Sequence, residues 1–193
     1  MRLLILSPHF RPDTAPTGEV VSAITHGLTG RGHEVHVVTS LPWYRNHSVE
    51  QDWKGRPIRR GIYGLATVTR LYPFPTDKGN LASRALGFLG LTGLATVAGL
   101  VARGPFHGVL AVSPPLTFGL AGWLLARRHR CPLVFNVQDV FPDAAVEVGA
   151  LRSPIGIRFF RWLERTTYRR SDAITVLSEE LAANVRAKVS GNR

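Results

Sequence analysis

Six short apolar runs, at residues 3–6, 35–39, 66–72, 109–112, 133–137 and 173–177, punctuate the chain, and most are continuous rather than alternating. A strand with one wet face alternates apolar and polar residues, whereas a continuous run fits a strand covered on both faces. Longer amphipathic stretches lie between the runs, at 18–30, 81–102, 116–129, 155–170 and 178–188. Strand and helix in alternation predict β-α units, and so an α/β, doubly wound and mainly parallel sheet. Local chemistry agrees with these boundaries. Gly32 stands where a helix C-terminal glycine belongs, Ser153-Pro154 offers a cap and a first-turn proline, and Ser178-Glu179-Glu180 puts a cap and two acids at a helix start.

At 193 residues the chain is long enough for one domain, and 45% hydrophobic against 19% charged residues excludes a disordered polycation. Cys131 is the single cysteine, which excludes an internal disulfide framework and a cysteine-rich zinc module and fits a reducing, cytoplasmic setting. The N-terminus has four apolar residues before Ser7-Pro8 and no small-residue cleavage site, so it fits a buried first strand better than an export signal. The formal charge is +11, and only three of the 24 basic residues are lysines. Guanidinium suits phosphate, so an anionic partner is one explanation; composition bias is the other. The uncharged stretch 85–102, flanked by Arg84 and Arg103, is open to three readings: a buried core helix, a membrane-surface segment or a short span.

In a doubly wound sheet, ligands bind beyond the carboxyl ends of the strands. That restricts the search to loops at 7–18, 40–52, 73–80, 113–116 and 138–149, and to Ser178. In the first, Thr17 and Gly18 precede or open a helix, where backbone N–H groups can hold a diphosphate; alternatively Thr17 is a simple cap. The loop is neither G-x-G-x-x-G nor a Walker loop. His9 stands on the same loop. In the loop at 138–149, Gln138, Asp139, Asp143 and Glu147 gather on one short segment, where a carboxylate can orient or deprotonate a hydroxyl. The competing reading has Asp139 capping a turn and Asp143 paired with an arginine. Ser113, before Pro114-Pro115, lacks a nucleophile elbow and is expected to hydrogen-bond a ligand or cap a helix. Seven histidines show no metal-ligand spacing, so no metal is expected. Arg158, Arg161, Arg165 and Arg169 recur at helical spacing among Ile155, Phe159, Trp162 and Leu163. This is either a helix lying on an anionic membrane or a solvated charged face over a core stripe.

Taken in order, Arg2 to Ser7 with Pro16-Thr17-Gly18, the segment Leu28-Thr29-Gly30-Arg31-Gly32-His33-Glu34-Val35-His36-Val37-Val38-Thr39, and Arg169-Arg170-Ser171-Asp172-Ala173-Ile174-Thr175-Val176-Leu177-Ser178-Glu179 resemble the N-terminal half of a family 4 glycosyltransferase of the GT-B fold. Ser113-Pro114-Pro115 followed by Asp139-Val140-Phe141-Pro142-Asp143 is most similar to the bacterial colanic-acid and O-antigen fucosyltransferase-like group. The resemblance implies a Rossmann-like acceptor-binding domain over 1–193. It also implies retaining sugar transfer from a UDP- or GDP-linked donor to a polyprenyl-diphosphate-linked glycan, without a bound cofactor or metal, in cell-surface polysaccharide synthesis.

On that resemblance Thr17, Gly18 and Glu19 are the candidate phosphate loop. Gln138 and Asp139 are the candidate catalytic residues, and His9, Ser113, Asp143 and Glu147 the candidate substrate contacts. The family's loop often carries two adjacent glycines, where this chain has Thr17-Gly18. The family's second, nucleotide-binding domain is not in this sequence, so the chain by itself is expected to have little or no transferase activity. The same resemblance places it in the cytoplasm, peripheral on the anionic inner face of the plasma membrane. A membrane-docking or ligand-binding module without catalysis is the alternative, and nucleic-acid binding has no recognised reading motif to support it.

Overall fold

The computed structural model describes residues 1–75 and 81–190. Seven strands form one sheet: β1 (Arg2–Leu6), β2 (Glu34–Ser40), β3 (Ile58–Tyr63), β4 (Ala66–Leu71), β5 (Gly108–Ser113), β6 (Leu133–Val137) and β7 (Ala173–Val176). Their order across the sheet is β3-β4-β2-β1-β5-β6-β7. All neighbouring pairs are parallel except β3 with β4. The helices are α1 (Pro16–Gly30), α2 (Leu81–Val101), α3 (Thr117–His129), α4 (Asp143–Glu147), α5 (Pro154–Arg170) and α6 (Glu179–Ser190). This is the Rossmann-like α/β architecture expected from the runs of apolar sequence.

Strand pleating sorts the core onto two faces. Leu4, Leu6, Val109, Ala111, Leu133, Phe135 and Val137 point to one side, against α2, α3, α5 and α6. Ile5, Val35, Val37, Val68 and Val112 point to the other, with Phe10 and Val21 of the α1 side. Period-two geometry with both faces covered is why these strands read as unbroken apolar runs.

The expected punctuation is present. Gly32 takes φ +78° and gives its N–H to Thr29, while His33 N–H reaches Leu28, closing α1 with a Schellman pair. Ser153 Oγ accepts from Gly156 N–H, and Ser178 Oγ from Leu181 N–H.

Two elements escape the sequence pattern. Strand β3 carries Arg59, Arg60 and Gly61 and is largely exposed, so it has neither an apolar run nor a buried face to betray it. It exists as an edge strand because the Gly64-Leu65 turn, with Gly64 at φ +57°, folds it back on β4, and its arginines blunt the free edge. Helix α4 is a single turn inside the segment expected to be loop at 138–149. Of the expected ligand-side loop at 73–80, residues 76–80 lie outside the described residues.

Helix α2 is apolar and long enough to cross a membrane by length and composition, yet one face of it packs on the protein. Leu91 and Ala95 are buried, Thr92 Oγ1 lies 2.7 Å from Thr117 Oγ1, and Gly99 sits against Leu125. The helix is the crossover between β4 and β5, so a lipid-surrounded span is incompatible with this fold.

Candidate functional site

Chain order reverses at β1: the strands run outward through β2 and β4, then α2 carries the chain back to β5 on the other side. The carboxyl ends of β1 and β5 therefore splay apart, and a crevice opens between their loops. A cleft of about 490 Å³ occupies that place. The loop after β1 contributes His9, Pro16 and Thr17, and the loop after β2 contributes Trp43, Tyr44 and His47. Arg84 and Phe88 enter from the first turns of α2, Pro114 from the end of β5, and Gln138 and Asp139 from the end of β6. A neighbouring hollow of about 550 Å³, between Leu41 and Tyr72, contains none of the candidate residues.

The first loop is rigid because buried hydroxyls satisfy its backbone. Ser7 Oγ donates to the His9 carbonyl and Ser40 Oγ to the Pro8 carbonyl, each at 2.6 Å. His9 lies against Trp43, with ring centroids 5.8 Å apart and planes 26° from parallel. Its Nδ1 is 2.7 Å from Oδ2 of Asp13, a carboxylate with no solvent exposure whose Oδ1 accepts the Tyr44 N–H at 3.2 Å. Asp13 thus fixes the ring from behind and leaves Nε2 as the nitrogen available to a ligand.

On the opposite wall, Gln138 Nε2 donates to Asn136 Oδ1 at 2.7 Å, and Asn136 Nδ2 donates to Thr175 Oγ1 at 2.9 Å. This relay across β6 and β7 sets the Gln138 amide and turns its carbonyl oxygen away from Asn136. Asp139 is exposed and uses Oδ1 to accept the Val140 N–H at 2.7 Å, the turn-capping contact that its position allowed.

The phosphate-loop residues divide. Ala15, not Thr17, occupies the cap position of α1, and Gly18 and Glu19 both return their N–H groups to its carbonyl. Pro16 has no N–H, which leaves Thr17 as the first-turn amide not turned back on Ala15. Gly18 is buried, and a Cβ there would meet Asp13 O and Phe10 N at 3.2 Å. Its lack of a side chain lets α1 sit against the loop that carries His9. Glu19 is outside the cleft, paired with Arg11 across a separate shallow hollow. That ion pair raises the Arg11 pKa.

Three expected substrate contacts are also placed elsewhere. Ser113 is buried at the end of β5, its Oγ has no hydrogen-bond partner among the described residues, and the next residue, Pro114, lines the cleft instead. Asp143 opens α4 and turns toward the helices: its Oδ2 is 2.7 Å from Lys188 Nζ, and its Oδ1 is 3.7 Å from Arg161. Lys188 also binds Glu164 Oε1 at 2.7 Å, and Tyr168 OH donates to the same oxygen at 3.0 Å. Burial, chiefly, and the Glu164 charge drive the Tyr168 pKa far above its ordinary value. Asp143 therefore clamps α4 to α5 and α6. Glu147, at the other end of the turn, is exposed and does not line the cleft.

Asp13, Trp43, Tyr44 and Arg84 were not singled out by residue type. The Trp43-Tyr44 pair in a ligand-side loop and the His9/Asp13 spacing were visible signals. Arg84 gave none, because it reads only as the flank of an apolar helix.

The sequence profile of the family described as Glycosyl transferase 4-like domain matches residues 17–193. The chain is 26% identical, over 151 residues, to a protein of Escherichia coli K12 named as the colanic acid biosynthesis glycosyl transferase WcaI; the match covers 77% of this chain and 37% of that protein. Its fold is similar to the crystal structure of alpha,alpha-trehalose 6-phosphate synthase from Burkholderia multivorans, with a TM-score of 0.57 at 13% identity over 98% of this chain and 42% of that one. The chain thus spans less than half the length of either relative.

Proposed function

Since the chain belongs to the glycosyl transferase 4-like family, we propose that it is the acceptor side of an enzyme that moves a sugar from a UDP- or GDP-linked donor to a lipid-diphosphate-linked glycan. The proposed transfer retains anomeric configuration and serves cell-surface polysaccharide synthesis, in the cytoplasm at the anionic inner face of the membrane. The observation that carries this reading is the switch-point cleft, whose walls combine a carboxylate-held imidazole, a relay-held amide and an aromatic platform.

In this reading the acceptor sugar lies on Trp43 and its reacting hydroxyl meets His9 Nε2. Gln138 and Asp139 hold sugar hydroxyls from the β6 side. The Arg84 guanidinium and the Thr17 N–H face the diphosphate, where a fixed fork and a helix-start amide favour negative charge.

The test uses the full-length protein, a panel of labelled UDP- and GDP-sugars and polyprenyl-diphosphate saccharides. Label is expected in the organic-extractable fraction, with His9→Gln and Gln138→Leu each lowering transfer by tenfold or more, on the order expected for a lost positioning or proton-handling contact. Transfer that is indifferent to both substitutions would remove the cleft from the reaction, and an inverted product anomer would remove retention.

A further inference from the structure

We propose that the hollow beside the cleft is a separate subsite that selects a carboxylate-bearing sugar unit, a role that rests on the preceding reading that the cleft holds the reacting sugar of a glycan.

The two cavities share one wall. The loop after β2 lines the cleft with Trp43, Tyr44 and His47, and then lines the hollow with Ser48, Val49 and Trp53. Leu41 follows β2 and Tyr72 follows β4, so the hollow stands over the carboxyl ends of those strands, on the ligand side of the sheet. In the order β4-β2-β1-β5 it lies outward of the cleft along that edge. At the ordinary strand spacing β4 is about 10 Å from β1. The next unit of a glycan spans that step when the terminal sugar lies on Trp43. A volume of about 550 Å³ admits a whole sugar ring.

The lining sets the chemistry of that ring. Trp53 and Tyr72, with Leu41 and Val49, offer an aromatic and apolar wall, which suits the C–H face of a pyranose. Lys54 and Arg56 complete the hollow; both are exposed, and neither is in an ion pair among the described residues. No acid lines the hollow among the described residues, since Glu50 and Asp52 of the same loop are outside it.

A second pair of cations stands against Trp53. Arg59 and Arg70 are opposite one another across β3 and β4, a placement in which like charges repel. Both guanidinium groups nevertheless lie on the Trp53 ring, 5.3 and 5.0 Å from its centroid. Arg70 is only 6% exposed, and its Nη2 donates to the Arg11 carbonyl. Its Nε, like that of Arg59, is buried without a hydrogen-bond partner among the described residues. Burial lowers the Arg70 pKa. Two juxtaposed cations with no carboxylate between them are costly in a fold. An anion beside Trp53 offsets that cost across a ring of low dielectric, which a neutral sugar does not do. A bare phosphate would answer the charge and leave the Tyr72 wall empty, whereas a carboxylate carried on a sugar ring uses both.

The full chain is titrated by calorimetry with the methyl glycoside of a hexosyl-glucuronate disaccharide and with its carboxyl-reduced counterpart. The glucuronate form is expected to bind tenfold or more tighter, as a charge-assisted contact gives, and to lose most of that advantage in 1 M salt. Lys54→Gln with Arg56→Gln is expected to bring the two affinities together, with the melting curve and the binding of the reduced disaccharide unchanged. Tyr72→Ser is expected to weaken both disaccharides by about fivefold, since it removes a ring that both use. Equal affinities in the unsubstituted chain, no binding of either disaccharide at millimolar concentration, a preference that survives the Lys54/Arg56 double substitution, or displacement of the glucuronate form by equimolar pyrophosphate would each overturn the proposal. His9→Gln, which lowers transfer in the preceding reading, is expected to leave the ratio of the two affinities intact, so failure of one reading is distinguishable from failure of the other.

Discussion

Replacing Asp13 probes the site more sharply than replacing any residue that touches the cleft directly. Its carboxylate is fully buried and accepts from His9 Nδ1 at 2.7 Å and from Tyr44 N–H at 3.2 Å. Asp13→Ala removes both acceptors at once. Each buried donor left unmet costs about 1–3 kcal/mol, so a loss of about 2–6 kcal/mol is expected for the two. Asp13→Asn keeps the shape and keeps a carbonyl for Tyr44, so its cost should be near 1 kcal/mol, the difference between a charge-assisted and a neutral hydrogen bond. The asparagine NH₂ can satisfy His9 only if Nδ1 becomes the acceptor, which moves the ring proton to Nε2 and strips the cleft of its basic nitrogen. Transfer should then fall by tenfold or more while the acceptor KM changes little, a pattern that loss of packing alone does not produce. His9→Ala in turn leaves Asp13 Oδ2 unpaired. A double-mutant cycle of His9→Ala and Asp13→Ala should show about 1.5–3 kcal/mol of coupling in urea unfolding, as for a buried charge-assisted pair. Additive single losses, or an Asp13→Asn protein with undiminished transfer, would refute the argument.

Other consequences are equally direct. A Cβ at Gly119 of α3 would lie 2.0 Å from Thr167 Cγ2 and 3.1 Å from Phe135 Cε2. Gly119→Ala should therefore cost about 2 kcal/mol net of the roughly 1 kcal/mol helix-propensity gain, and Thr167→Ser should recover part of the loss in thermal unfolding. Lys188→Met leaves Asp143 and buried Glu164 without their shared cation and should cost about 3 kcal/mol; adding Glu164→Gln should return some of it. Burial, with smaller contributions from Arg2 and Arg60, lowers the His36 pKa to about 4. Between that value and the unfolded value of about 6.5, the unfolded chain binds the extra proton, so stability falls as pH drops through this window. Partial exposure limits the effect to the order of 2 kcal/mol. His36→Gln should flatten that part of the pH–stability curve, and an unchanged curve would contradict a neutral buried ring.

The apolar runs gave every strand of the parallel sheet to within a residue or two; the central strands are buried on both faces and have no freedom to alternate, while β7, at the other edge, is only partly buried. Strand β3 was illegible for the converse reason: Arg59, Arg60 and Gly61 are acceptable only at an edge, and an edge is a property of the neighbours. The site was legible by loop more than by residue. His9, Thr17, Gln138 and Asp139 meet in one cleft, as their position after β1 and β6 suggested. Glu19, Asp143 and Glu147 share those loops but do not line the cleft. One helical turn at α4 rotates Asp143 onto Lys188, a partner 45 residues away, and Glu19 is drawn to Arg11 of the loop before its own helix.

The sequence by itself determined the layer architecture, the C-terminal cap of α1, the N-terminal caps of α5 and α6, and the loops in which ligand chemistry could sit, since these follow from local periodicity and backbone preference. Tertiary structure alone decided which side chains in those loops face one another, and which apolar residues remain outside. Ile155, Phe159 and Trp162 have the same composition and spacing whether they cover a core or face a bilayer. Only the packing of Leu163, Thr167 and Tyr168 against α3 and the sheet, which uses up the inner face of α5, leaves them on the surface.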